Sequence, residues 1–257
     1  MISMQVKEQG QGPSVIYLHG IGGRAGDFLA QLAGVRGTRN IAWNSPGYGA
    51  SRPHDGDLGF ADLSAYLSAT MDHLNIPAAH LVGHSIGGML ALDHYARRPD
   101  QVLSLTLMAT TPAFGGKDDS FKDAFLRARL APLDAGQTMH DMAQTAAPAL
   151  VGPLADAASI ARVAASLAAV PCPIWRQILH CLVQFDRRNI LADINVPTCI
   201  IAGSHDSNAP AKTMRKMAGQ IPHAQIHVLD GIGHMIPHEA PDQLTQILND
   251  FLKVTIK

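Results

Sequence analysis

His80-Leu81-Val82-Gly83-His84-Ser85-Ile86-Gly87-Gly88-Met89-Leu90 is the stretch that decides the fold. An apolar run over residues 80–83 meets a G-x-S-x-G string at Gly83-His84-Ser85-Ile86-Gly87. A helical pattern opens directly behind it, with apolar residues at Ile86, Met89, Leu90, Leu92 and Ala96. This pattern predicts a helix over 85–98 that stops at Pro99, and Arg97 and Arg98 in its last turn suit the helix dipole. A serine on a sharp strand-to-helix turn needs small neighbours, because its own backbone is strained; Gly83, Gly87 and Gly88 supply them. Such a turn lifts the hydroxyl above the sheet edge and points a helix N-terminus at it. A Ser/Gly turn without chemistry is the plainer alternative, and the strand in front and helix behind weigh against it.

Outward from this turn, short apolar runs alternate with helical patterns. The runs are 15–18, 40–43, 80–83, 102–108, 198–202 and 225–229. They are apolar nearly throughout, the pattern of strands buried on both faces of a parallel sheet. Helices are expected over 61–74 and 242–253, each with an apolar stripe at helical spacing. From Thr111 to Leu191 the alternation breaks. That stretch is Ala-rich, holds several Pro and reads as short helices inserted between two strands. The expected architecture is an α/β core from 1–110 and 192–257, with a helical cap over 111–191.

The 257 residues carry 47% hydrophobic and 16% charged residues, enough apolar mass for a sizeable core and too little charge for a disordered chain. A formal net charge of −1 gives no basic footprint for nucleic acid. The three cysteines, Cys172, Cys181 and Cys199, form no C-x-x-C pair and describe no disulfide framework. The N-terminus shows no signal-peptide pattern, and no apolar run reaches the ~18 residues of a membrane span. A cytoplasmic protein with no membrane or nucleic-acid partner is expected, and a homodimer stays open.

A serine hydroxyl needs a base, and the base needs an orienting acid. Asp206 follows the run 198–202 and His234 follows the run 225–229. Both therefore fall at carboxyl ends of parallel strands, on the edge where Ser85 emerges, in the order Ser, Asp, His. Among thirteen histidines, His84 faces the wrong way for a base, and His223, His227 and His238 lack the strand-end position. Asp230 is a competing acid that reads as a strand end. Two backbone N–H groups must also meet the developing alkoxide. Ile86, just after the serine, offers one. Ile21, in His19-Gly20-Ile21-Gly22-Gly23 behind the run 15–18, offers the other. A phosphate loop is the rival for those glycines, but neither G-x-x-x-x-G-K-[ST] nor G-x-G-x-x-G is present. No metal-ligand spacing such as H-E-x-x-H occurs, and no cofactor is expected.

With these pieces in place, the chain resembles the α/β-hydrolase superfamily, in particular its serine esterases and lactonases such as the 3-oxoadipate enol-lactonases. The resemblance rests on His19-Gly20, on Asn44-Ser45-Pro46-Gly47-Tyr48-Gly49-Ala50-Ser51, on Gly83 to Gly88, on Gly203 to Pro210, and on Gly233-His234 followed by Pro237, Glu239 and Pro241. It spans about 13–254 and implies a mainly parallel sheet of seven to eight strands with a helical cap. It also implies a triad of Ser85, Asp206 and His234 that cleaves a small carboxylic ester or lactone through an acyl-enzyme. Two departures stand out. Asn44 and Ser45 replace the Asp that many relatives carry, and only about twelve residues precede the His-Gly strand, so a first strand is missing or very short.

Other chemistries share the scaffold. C–C bond hydrolases of aromatic ring-fission products usually show Gly-His-Trp at the base, where this chain has Gly233-His234-Met235. Haloalkane dehalogenases and epoxide hydrolases need Asp at position 85. Cofactor-free haloperoxidase-like and acyltransferase activities use the same triad. A small-molecule-binding protein with weak turnover is the alternative outside enzymes. For substrate contacts the candidates are Phe114, Phe125, Met139, Trp175 and Met235, apolar residues that could line an acyl pocket or simply pack the cap. Arg127, Arg129 and Arg176 could meet a substrate carboxylate or lie on the surface.

Overall fold

The computed structural model describes residues 4–115 and 120–256. Seven strands form one sheet: β1 (Val6–Gln9), β2 (Ser14–Leu18), β3 (Arg39–Trp43), β4 (Ala79–His84), β5 (Val102–Met108), β6 (Thr198–Gly203) and β7 (Gln225–Leu229). Their order is β1-β3-β2-β4-β5-β6-β7, parallel throughout except for β1, which pairs antiparallel with β3. This is the α/β-hydrolase fold. Alternate residues of each strand feed opposite faces. Ile16, Leu18 and Leu81 join the core under α2 (Phe60–His73), α3 (Ile86–Arg97) and α8 (Ala211–Ala218). Val15, Tyr17 and Val82 join the core under α1 (Leu29–Gly34) and α10 (Pro241–Thr255).

The run 225–229 departs from the reading of strands buried on both faces. β7 is only half-buried, because it closes the sheet with β6 as its one neighbour. β1 is the short first strand. Its side chains are mostly exposed, so no apolar run marks it; its ladder with β3 secures it, helped by Val6 against the core and Glu8 paired with Arg39.

Between β5 and β6 lie α4 (Ser120–Asp134), α5 (Met139–Leu150), α6 (Ala157–Ala168) and α7 (Cys172–Leu182). Thr138 caps α5 by accepting from the Asp141 N–H, and Asp156 caps α6 by accepting from the Ser159 N–H. A bridge between Ala113 and Asp186 brings the two ends of the segment together. Its apolar faces form a third cluster, and Tyr48 and Met235 of the sheet layer belong to that cluster too. Among the described residues no single helix is long and apolar enough to cross a membrane.

Candidate active site

Ser85 stands between β4 and α3 with φ 55° and ψ −121°, a left-handed backbone that a non-glycine residue holds only under strain. Two close approaches make that turn. A Cβ on Gly83 would lie 2.3 Å from the Gly87 carbonyl oxygen, and one on Gly87 would lie 2.1 Å from that of Leu18. Only glycine lets the helix start this near the sheet. The Ser85 N–H donates to the Met108 carbonyl at 2.9 Å, and the Thr110 hydroxyl donates to the Ser85 carbonyl at 2.8 Å. The Ser85 turn is therefore pinned to the end of β5.

The loops after β6 and β7 complete the arrangement. His234 Nε2 lies 3.1 Å from Ser85 Oγ, and His234 Nδ1 lies 2.8 Å from Asp206 Oδ2. The other Asp206 oxygen accepts the N–H groups of Asn208 at 2.8 Å and Ala209 at 3.0 Å. Burial pushes the Asp206 carboxyl up. The hydrogen bond and charge of His234, with those two N–H donors, outweigh burial and hold it below the usual carboxylate range. Asp206 and His234 are 5% and 8% exposed, so the pair works largely out of water. Asp230 plays no part in it, since its Oδ1 accepts from the Ser204 hydroxyl.

His84 lies against the same pair with its ring 5.2 Å from that of His234. Its Nε2 sits 2.7 Å from the His234 carbonyl oxygen, so it is the donor there. Burial, followed by the neighbouring His234, pushes its pKa down to about 3. A neutral ring with Nε2–H satisfies that contact.

On the opposite side, the loop after β2 comes close to the serine: a Cβ on Gly20 would lie 3.2 Å from Ser85 Cβ. His19 sets this loop. Its Nδ1 lies 2.8 Å from the Gly20 carbonyl and its Nε2 accepts the Ser45 N–H at 3.0 Å. Burial holds His19 below its ordinary pKa. The Tyr48 hydroxyl donates to the Ile21 carbonyl at 2.7 Å. Asn44 anchors the neighbouring turn: its Oδ1 accepts the Ala25 N–H at 2.7 Å and its Nδ2 donates to Gln5 at 2.6 Å. Asn thus offers a donor that the more usual Asp lacks. Ile86 opens α3, where a first-turn N–H has no intrahelical acceptor.

A cavity of about 10 Å³, room for roughly one water, lies beside this loop; His19, Gly20, Ser45, Tyr48, Ile86 and Ile178 are among its lining residues. The five apolar candidates sit elsewhere. Met139, Trp175 and Met235 are buried in the third cluster with Tyr48 and Leu179. Phe114 and Phe125 are half-buried and meet edge to face at 4.6 Å. Arg129 lies 3.5 Å above the Phe125 ring, and Arg176 pairs with Asp134 at 2.6 Å. Arg127 is exposed. Sequence reasoning missed Thr110 as a neighbour of the site. Thr110 lay within reach of it, as the second residue past the strand that receives the Ser85 N–H.

The alpha/beta hydrolase fold family matches residues 13–241, and the chain belongs to that family. It is a hydrolase whose named relatives include esterases. It is 31% identical over 253 residues to the dihydrolipoyllysine-residue acetyltransferase component of the acetoin cleaving system of Pseudomonas putida, covering 94% of this chain and 64% of that protein. It is 29% identical over 247 residues to the pimeloyl-[acyl-carrier protein] methyl ester esterase of Chromobacterium violaceum, covering 93% of this chain and 94% of that one. The enol-lactonase of Burkholderia xenovorans superposes with a TM-score of 0.87 at 21% identity, over 97% of this chain and 96% of that chain.

Proposed function

We propose that the protein is a serine hydrolase that cleaves a small carboxylic ester or lactone through an acyl-enzyme on Ser85. The observation that carries this reading is the line from Ser85 Oγ to His234 Nε2 at 3.1 Å and from His234 Nδ1 to Asp206 at 2.8 Å. His234 takes the serine proton as Oγ attacks the carbonyl carbon, then returns it to the leaving oxygen. Asp206, held as a carboxylate, keeps the Nδ1–H tautomer and stabilises the imidazolium. The Ile21 and Ile86 N–H groups receive the oxyanion. Water, activated by the same histidine, then releases the acid and restores Ser85.

The segment from α4 to α7 acts as a cap over the site. The acyl group is placed on the side of Ile86, where the lining of the water-sized cavity includes Tyr48 and Ile178. Phe114, Phe125, Met139, Trp175 and Met235 lie outside that lining and bear on acyl choice through the packing of the cap. The esterase and enol-lactonase names among relatives support ester or lactone as the substrate class. The three unpaired cysteines support a reducing, cytoplasmic setting. The test is turnover of p-nitrophenyl esters and a lactone panel by wild type and Ser85→Ala. Wild-type turnover should vanish in the variant, and retained turnover refutes the assignment.

A further inference from the structure

Four polar groups of the backbone around His234 are held, one by Leu150, one by His84 and two by Glu239. The His234 N–H donates to the Leu150 carbonyl at the end of α5, at 2.8 Å. The His234 carbonyl accepts from His84 Nε2. The N–H groups on either side go to one carboxylate, that of Glu239, in the short helix α9 (Ile236–Glu239). Glu239 Oε2 accepts from Gly233 at 2.9 Å, and Oε1 accepts from Met235 at 2.9 Å. Oε2 also accepts the N–H of Gly152, just past α5, at 2.6 Å. One side chain thus binds the N–H groups of both residues that flank the base, together with the start of the loop between α5 and α6.

The backbones at this junction pack too closely for any side chain. A Cβ on Gly233 would lie 2.5 Å from the Gly152 nitrogen, and one on Gly152 would lie 2.2 Å from the Gly231 carbonyl oxygen. With no side chain to fix the spacing, the shared carboxylate sets it. We infer that Glu239 is a positioning residue for His234, fixing the distance of its imidazole from Ser85 through the backbone and tying that distance to the helical segment. This rests on the serine mechanism above and adds a fourth side chain to it.

A charged acceptor suits three N–H donors because both oxygens carry lone pairs for all of them. In Glu239→Gln one oxygen becomes an NH₂ group, which faces at least one N–H donor. Loss of that clamp lets the base drift, and a misplacement of about 1 Å costs on the order of a hundredfold in rate. The expected result for Glu239→Gln is therefore a kcat on p-nitrophenyl acetate about a hundredfold lower, with KM within about twofold of wild type. Fluorophosphonate labelling of Ser85 should slow in parallel, since it needs the same base. Should Glu239→Gln not fold, Glu239→Asp, with the charge kept and one methylene removed, carries the same test. A purely structural role predicts a lower Tm with wild-type kcat per folded molecule, and that result overturns the inference. Ser85→Ala in the same assay separates the two readings. An active Ser85→Ala overturns the serine mechanism and this inference with it. An inactive Ser85→Ala beside a fully active Glu239→Gln overturns this inference alone.

Discussion

Acid should loosen this protein through two histidines that the fold buries uncharged. His84 is pushed down to about 3, first by burial and then by His234, and His94 to about 4, first by burial and then by the Arg98 charge. His94 lies fully buried on α3, with Nδ1 2.8 Å from the Ser64 hydroxyl of α2. The sign follows from linkage. Both folded pKa values lie below the unfolded value of ~6.5. The unfolded chain therefore binds more protons between the two, so stability is complete above that value and drains away as pH falls toward 3–4. At ~1.36 kcal/mol per unit, each histidine withdraws about 2 kcal/mol between pH 7 and 5, or about 4 kcal/mol together. For a chain of this length that lowers Tm by roughly 8 °C. Calorimetry across this range reads the shift, and urea titrations at each pH check it. A Tm that is flat from pH 7 to 5 refutes the reasoning. So does a native-state NMR titration in which the His84 ring picks up its proton near the free value.

Three further outcomes follow from the same geometry. Asp206→Asn should cut kcat by roughly 10³–10⁴ with little change in KM, because the imidazole loses its tautomer and counter-charge; steady-state kinetics on p-nitrophenyl butyrate reads it. Gly87→Ala should destabilise the fold by more than about 3 kcal/mol, because its Cβ would press on the Leu18 carbonyl from 2.1 Å and force the sheet and α3 apart; urea denaturation measures it. The Asp206 carboxyl should take up its proton below the usual carboxylate range, because the hydrogen bond and charge of His234 and two backbone N–H donors outweigh its burial; a carbon NMR titration of that carboxyl group reads it.

Much of this was legible in the chain, for identifiable reasons. The strand at 102–108 is buried at all but one position, so its apolar run announces it with its bounds intact. The G-x-S-x-G turn is legible because backbone crowding leaves glycine as the residue that fits at Gly83 and Gly87. The loops of Asp206 and His234 are legible because strand ends on a parallel sheet share one edge. Other features leave no one-dimensional trace. β1 presents exposed side chains and is held by its partner strand. The half-burial of β7 depends on its place at the end of the sheet, and sequence order does not encode that. Glu239 stood out only as part of a string, because its partners Gly152 and Gly233 lie 87 and 6 residues away and are reached only in the fold. The apolar residues of 111–191 carry helical spacing, which shows that a face is buried but not what covers it. Trp175 and Ile178 share α7, yet Ile178 alone lines the cavity beside Ile86.

The nucleophilic role of Ser85 can be read by intact mass. The enzyme is incubated with a fluorophosphonate, or quenched in acid during turnover of an activated ester, and the adduct is mapped by peptide sequencing. One adduct per chain on Ser85 is expected, formed far more slowly in His234→Ala and absent in Ser85→Ala. An adduct on another residue, or ester turnover that persists in Ser85→Ala, means that the chemistry of this protein lies elsewhere.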